Sequence, residues 1–110
     1  MVNLRDSLVH GIEKPLILWL LSRRPRHGYE LINEFRRLTG QKLKPGMIYP
    51  FLHWLEDEGY AVSEWVKKSG RNLRCYRLTE KGEQMFKKLR NFFGKPIKEI
   101  IADLLGEEEH

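Results

Sequence analysis

The sequence predicts a mainly α-helical fold with one small β-hairpin, on three observations. Apolar residues recur at helical spacing in three segments before Gly59. Two runs rich in strand-forming residues follow, joined through Gly70, and helical spacing resumes behind Thr79. At 110 residues, 41% of them hydrophobic, the chain has material for one domain and one core.

The first helix is predicted over residues 15–22. Pro15 suits a first helical turn, where its missing N–H costs nothing, and Arg23-Arg24-Pro25 stops the segment. Residues 16–21 are all apolar, as in a helix buried on every side; a strand is the competing reading of so short a run. The second helix begins near His27-Gly28 and ends at Gly40, a residue suited to the left-handed position beyond a helix. Leu31, Phe35 and Leu38 form its apolar stripe, while Glu30, Asn33, Glu34 and Arg37 face out. The third covers residues 46–58 and stops at Gly59. Ile48, Phe51, Leu52 and Leu55 fall in one sector, with Gly46, Tyr49, Pro50 and His53 opposite. Pro50 lies within the opening turns, where a helix tolerates it.

The hairpin pairs Ala61–Lys68 with residues 73–79 across a four-residue connection, Ser69-Gly70-Arg71-Asn72. Thr79 then caps a fourth helix, and Glu80 in its first turn favours the helix dipole. Its stripe is Met85, Phe86, Leu89, Phe92 and Phe93. Gly94-Lys95-Pro96 breaks the pattern, and a fifth helix carries Ile97, Ile100, Ile101, Leu104 and Leu105 before Gly106. Three helices, a hairpin and more helix behind it is the element order of a winged helix-turn-helix.

Twenty Lys and Arg against fifteen Asp and Glu leave a net charge of +5, and its placement is uneven. Lys67, Lys68, Arg71, Arg74 and Arg77 occupy the hairpin with no acidic residue among them, while Glu107, Glu108 and Glu109 form an acidic tail. A surface polarised in this way suits a polyanion. The plainer reading is a solvated edge hairpin whose charges block aggregation. Arg71 and Asn72 weigh against that, because beside the tip they serve no fold.

Other classes fit less well. Cys75 stands alone, so neither a disulfide nor a cysteine metal site is expected, and a reducing compartment is. No apolar run approaches the roughly 20 residues a bilayer requires, and no signal peptide follows the polar residues 1–6, so a soluble cytoplasmic protein is expected. His10, His27, His53 and His110 are dispersed, which argues against a metal. No nucleophile–base set, paired carboxylates or phosphate-binding glycine loop emerges, so neither an enzyme nor a cofactor is expected.

Three stretches together resemble the PadR family of transcriptional regulators. His27-Gly28-Tyr29-Glu30-Leu31 resembles the start of that family's second helix. Residues 47–59, with Tyr49-Pro50, Leu52 and Leu55-Glu56 running into Gly59, resemble its recognition helix. Tyr76-Arg77-Leu78-Thr79-Glu80-Lys81-Gly82 resembles the passage from the wing to the next helix. The match covers about residues 14–90, in order. Met47 departs from it, standing where the family usually has Thr, and so does Pro45, where a small polar residue usually precedes Gly46.

The resemblance implies a sequence-specific regulator of transcription that binds double-stranded DNA and represses promoters from a pseudo-palindromic operator. It implies that Tyr49 and His53 face the major groove, with Pro50 beside them. Lys44 and the backbone around Gly46 would meet phosphate at the helix start, and Lys67, Lys68, Arg71, Asn72 and Arg74 would supply the wing's backbone contacts. The alternative is a winged-helix module for RNA binding or protein interaction. Trp19, Trp54 and Trp65 are candidates to line a pocket for a flat aromatic or cationic effector, core or dimer packing being the plainer role. The division expected is residues 1–93 as the winged unit with an N-terminal segment, and 94–110 as a dimerisation helix with the acidic tail. Leu4, Leu8 and Ile12, with Ile97, Ile100, Ile101, Leu104 and Leu105, are the expected homodimer contacts.

Overall fold

The computed structural model describes residues 4–107, so Glu108, Glu109 and His110 of the tail lie outside the described residues. Helix α1 spans Leu4–Arg23, strand β1 Arg26–His27, α2 Gly28–Thr39 and α3 Pro45–Asp57. The hairpin β2 (Ala61–Lys68) and β3 (Arg71–Leu78) follows, then α4 (Glu80–Phe92), a π-helical turn (Phe93–Ile97) and α5 (Lys98–Leu104). The mainly helical fold with a small antiparallel sheet is therefore as the sequence predicts, and so is the C-terminal helix.

The core lies where α1, α2 and α3 meet the base of the sheet. Ile17, Leu20, Leu21, Leu31, Phe35, Ile48, Leu52, Leu55, Ala61, Tyr76 and Leu78 are all buried there. The sector read for α3 holds completely, since Ile48, Phe51, Leu52 and Leu55 are the buried residues of that helix. In α2 the buried stripe runs through Leu31, Ile32 and Phe35, and Leu38, in the last turn, is 41% exposed rather than part of it. Gly40 takes the left-handed conformation (φ 74°) and its N–H closes onto the Arg36 carbonyl.

Three sequence expectations are corrected. Pro15 does not begin the first helix: α1 starts at Leu4 and carries Pro15 in its interior. An interior proline costs about 3 kcal/mol, because it lacks a donor and crowds the carbonyl four residues back. Burying Ile17, Leu18, Leu20 and Leu21 on the same helix outweighs that, at roughly 1.5–3 kcal/mol per side chain. Gly94-Lys95-Pro96 does not break the chain into separate helices either. A π-helical turn, Phe93–Ile97, carries it from α4 into α5 with Pro96 inside it. The hairpin connection is two residues rather than four. Ser69 and Gly70 both have positive φ (52° and 76°), as a type I′ turn requires, so Arg71 pairs with Lys68 and Asn72 with Lys67.

The short strand β1 is an addition. Arg26 and His27 pair with Tyr76 and Cys75, giving a three-stranded sheet in the order β1-β3-β2. Arg26 is buried and its Nε donates to the Leu20 carbonyl (3.1 Å), which ties the end of α1 to the sheet. His27 caps α2, its side chain accepting from the Glu30 N–H (3.2 Å). Thr79 caps α4 as predicted, accepting from the Gly82 N–H (3.2 Å).

The radius of gyration is 15.8 Å, against about 13 Å for a compact domain of this length. The projecting elements include α5, which packs mainly on the π-helical turn before it. Among the described residues no helix is long and apolar enough to cross a membrane.

Candidate nucleic-acid interface

Helix α3 is capped at its start by backbone rather than side chain. The Lys44 carbonyl accepts from the N–H groups of Met47 (2.9 Å) and Ile48 (3.0 Å), and the Lys44 side chain makes no capping bond. Pro45 at the first helical position has no N–H to satisfy, so a small polar cap has less to do here. Met47 packs against the core. Both departures from the family pattern thus have a structural account.

The outward side of α3 carries Gly46, Tyr49, Pro50 and His53, all exposed, next to an exposed Lys44. Tyr49 is both exposed and packed. It is 41% exposed, yet its ring lies against the backbone of Gly28 at the start of α2. A Cβ on Gly28 would stand 2.5 Å from Tyr49 Cε1 and 3.1 Å from its hydroxyl oxygen. Only glycine leaves the ring where it is. Tyr29, 64% exposed, stacks on His27 beside this contact, with ring centroids 6.5 Å apart. Sequence reasoning gave Gly28 and Tyr29 no role; the signal was a glycine in the first turn of a helix, where propensity disfavours it.

Gly28→Ala should therefore leave the fold standing and displace Tyr49, because the obstructing atoms end a rotatable side chain. We expect a stability change within about 1 kcal/mol. Tyr49 tyrosyl NMR signals should shift, and the stability change should vanish in a Tyr49→Ala background. A decrease of the same size in both backgrounds would mean Gly28 matters only for its own helix.

The wing is an exposed lever. Only its base is buried, through Ala61, Tyr76 and Leu78. By register Ser63, Trp65 and Lys67 share a face with Tyr76, Arg74 and Asn72, while Lys68 and Arg71 occupy the other face next to the turn. Lys67, Lys68, Arg71 and Asn72 are all exposed. Arg74 is different. Its Nη2 donates to Glu56 on α3 (2.9 Å) and its Nε to Ser63 (2.8 Å). Four of the five residues assigned to the wing surface thus have no side-chain partner holding them among the described residues, whereas the fifth, though exposed, is engaged by Glu56 and Ser63.

Several groups around this surface are perturbed. Burial, with Glu56 and Tyr49 adding to it, raises the Tyr76 phenol above its ordinary value despite nearby Arg74. Burial likewise raises the Cys75 thiol, with Glu30 and Glu64 contributing, so it is a poor nucleophile. For Glu30 burial acts upward but is outweighed by the hydrogen bond and charge of Arg24, which hold the carboxyl low. Arg26 is lowered by burial and then by Arg24.

The three tryptophans have different neighbours. Trp19 lines a groove between α1 and α4 with Ile12, Leu16, Phe86 and Leu89. Trp54 stacks with Phe51 (6.0 Å) and meets Tyr60 at a tilt (5.6 Å), and Trp65 lies 68% exposed on β2. The expected dimer residues are largely uncovered: Leu4, Leu8, Ile100, Ile101, Leu104 and Leu105 are exposed, and Ile12 and Ile97 half-buried.

A helix pair, α2 and α3, with an exposed outer face and a basic two-stranded wing behind it defines a winged helix-turn-helix protein. The chain belongs to the Transcriptional regulator PadR-like family, whose sequence profile matches residues 17–88. That family comprises transcriptional regulators rather than enzymes. The chain is 32% identical over 105 residues to the transcriptional regulator Rv3488 of Mycobacterium tuberculosis, covering 96% of this chain and 78% of that one. Its structure is similar to that of the transcriptional regulator TA0346 of Thermoplasma acidophilum, with a TM-score of 0.70 and 32% identity over 94% of this chain and 97% of that one. It is also similar to Bacillus subtilis PadR in complex with operator DNA, with a TM-score of 0.62 and 29% identity, over 69% of this chain and 44% of that one.

Proposed function

We propose that this regulator binds duplex DNA as a homodimer, at a pseudo-palindromic site, and represses by occupying a promoter. The observation that carries the reading is the outer face of α3, where Tyr49, Pro50 and His53 stand exposed beside Lys44. Such a face fits a major groove, and the wing's Lys67, Lys68, Arg71 and Asn72 fit the flanking phosphates. The likeness to a PadR solved with operator DNA supports it. The unit of residues 1–93 would carry recognition and residues 94–110 dimerisation, with Leu4, Leu8 and Ile12 helping.

Salt dependence tests it. A dimer with two wings and two helix starts should touch roughly 6–10 phosphates, so affinity falls steeply with salt. Arg71→Ala should weaken selected and random duplexes alike and flatten the slope, while His53→Ala should cost about 1–3 kcal/mol on the selected duplex alone. Competition with a structured RNA separates the classes: an RNA that displaces the duplex at equal nucleotide concentration would overturn the DNA reading. Repression is read from a promoter fusion, where deleting the gene should raise expression.

A further inference from the structure

We propose that Arg74 is a positioning residue, a strut that sets the wing against the recognition helix, and makes no contact with DNA itself. The inference rests on the DNA reading for its consequence, but the strut stands on geometry within one chain.

Glu56 lies in the last turn of α3, Ser63 on β2 and Arg74 on β3, and their side chains close a ring. Arg74 donates to Glu56 Oε1 (2.9 Å) and to Ser63 Oγ (2.8 Å), and the Ser63 hydroxyl donates to Glu56 Oε2 (2.6 Å). The Glu56 carboxylate thus receives one hydrogen bond on each oxygen. The guanidinium is also flanked by aromatic rings, with its carbon 5.8 Å from the Trp65 centroid and 5.7 Å from that of Tyr76. Trp65 stands directly across the ladder from Arg74, and Ser63 on the diagonal. The plane of an arginine permits these interactions together; a lysine would not.

This arrangement matters because the outer part of the wing has little else to fix its angle, the pairing with β1 reaching only as far as Cys75. Beyond Ala61 and Tyr76 it projects into solvent, so a small rotation at the base moves Arg71 and Asn72 through a larger arc. A wing held at one angle meets its phosphates directly; a loosened one meets the same phosphates but must first give up its freedom, so binding weakens while the number of phosphates neutralised stays the same. The same cluster gives a use to Trp65, whose large exposed side chain the fold does not otherwise need.

The two roles open to Arg74 predict opposite signs for one substitution. If Arg74 gripped phosphate and Glu56 merely competed, Glu56→Gln would release the arginine, remove a negative charge and tighten binding. A strut predicts weaker binding. The test uses the full-length protein and a duplex selected by the wild type from a random library, titrated across salt. Arg74→Ala and Glu56→Gln should each weaken binding roughly three- to tenfold, with the salt slope unchanged. Arg71→Ala should lower the slope by about 0.9 for each phosphate it no longer neutralises. Tighter binding by Glu56→Gln, a flattened slope for Arg74→Ala, or no change in either variant would each overturn the strut. Hydrogen exchange of the β2–β3 amides without DNA should speed up in both variants, and unaltered exchange would overturn it as well. A wild type that selects no duplex would instead sink the DNA reading, leaving the exchange result to judge the strut.

Discussion

Gly82→Ala should destabilise the fold by roughly 2–4 kcal/mol, although the position is helical and alanine is the better helix former. Gly82 lies in the first turn of α4, where the helix rests on the corner between α3 and β2. A Cβ there would stand 2.0 Å from the Tyr60 carbonyl oxygen, 3.0 Å from its carbon and 3.2 Å from Leu78 Cδ2. The first two are backbone, and that backbone is held. The Thr79 N–H donates to the same Tyr60 oxygen (3.0 Å), the Thr79 hydroxyl to the Gly59 carbonyl (2.6 Å), and Lys81 Nζ to the Glu58 carbonyl (2.8 Å). Relief requires lifting α4, which strips these bonds and draws Phe86 away from the core. Helix propensity alone predicts the opposite sign, a gain of about 0.8–1.0 kcal/mol. Urea denaturation followed by circular dichroism decides between them. A midpoint that rises would mean the corner yields easily and that the close approach is not what requires glycine.

How much of this was legible in the sequence follows from how far each signal reaches. The stripe of α3 could be read because four large apolar residues at helical spacing leave one way to turn the helix. The caps at Gly40 and Thr79 are local chemistry, decided within a few residues. Strand β1 was not legible, since two residues carry no period, and its pairing with Cys75 and Tyr76 lies far along the chain. The upstream half of α1 was hidden by Pro15, whose preference for a first turn points to the wrong boundary. The hairpin turn was lengthened because Ser69 takes a positive φ more often seen for Asn or Asp.

The interface divides along the same line. Exposure of Tyr49 and His53 follows from periodicity, and exposure of Lys67, Lys68, Arg71 and Asn72 from the place of the hairpin. That Arg74 is neutralised by Glu56, 18 residues earlier, cannot be seen in a count of charges. Nor can the approach of Tyr49 to Gly28, which depends on two helices meeting. In both cases composition shows a group and only the fold shows its partner.

Deleting every residue after Phe93, or changing Ile100 and Leu104 together to Glu, should yield a monomer with much weaker operator binding. Ile100 is 59% exposed, Ile101 47%, Leu104 82% and Leu105 66%, so α5 leaves much of its apolar side uncovered by its own domain. The alternative, in which the helix folds back, is not what the structure adopts. Nearby, Ile12, Pro15, Leu16, Trp19, Phe86, Leu89 and Phe93 line a groove of about 420 Å³ between α1 and α4. Leu4 and Leu8 extend this apolar surface along α1, at 79% and 70% exposed. Full burial of a large aliphatic side chain contributes roughly 1.5–3 kcal/mol. A two-fold interface counts each side chain twice, so burying these residues together can offset an association cost of about 4–15 kcal/mol. Such a dimer would set two recognition helices about 34 Å apart, one turn of duplex, and half-site binding would forgo that cooperation. Each glutamate would have to be buried unpaired in the apolar interface, at a cost of several kcal/mol. Sedimentation at micromolar concentration reads the outcome, with circular dichroism to confirm that the variants stay folded. A full-length protein that sediments as a monomer, or a folded truncated one that remains a dimer, would refute the assignment of α5.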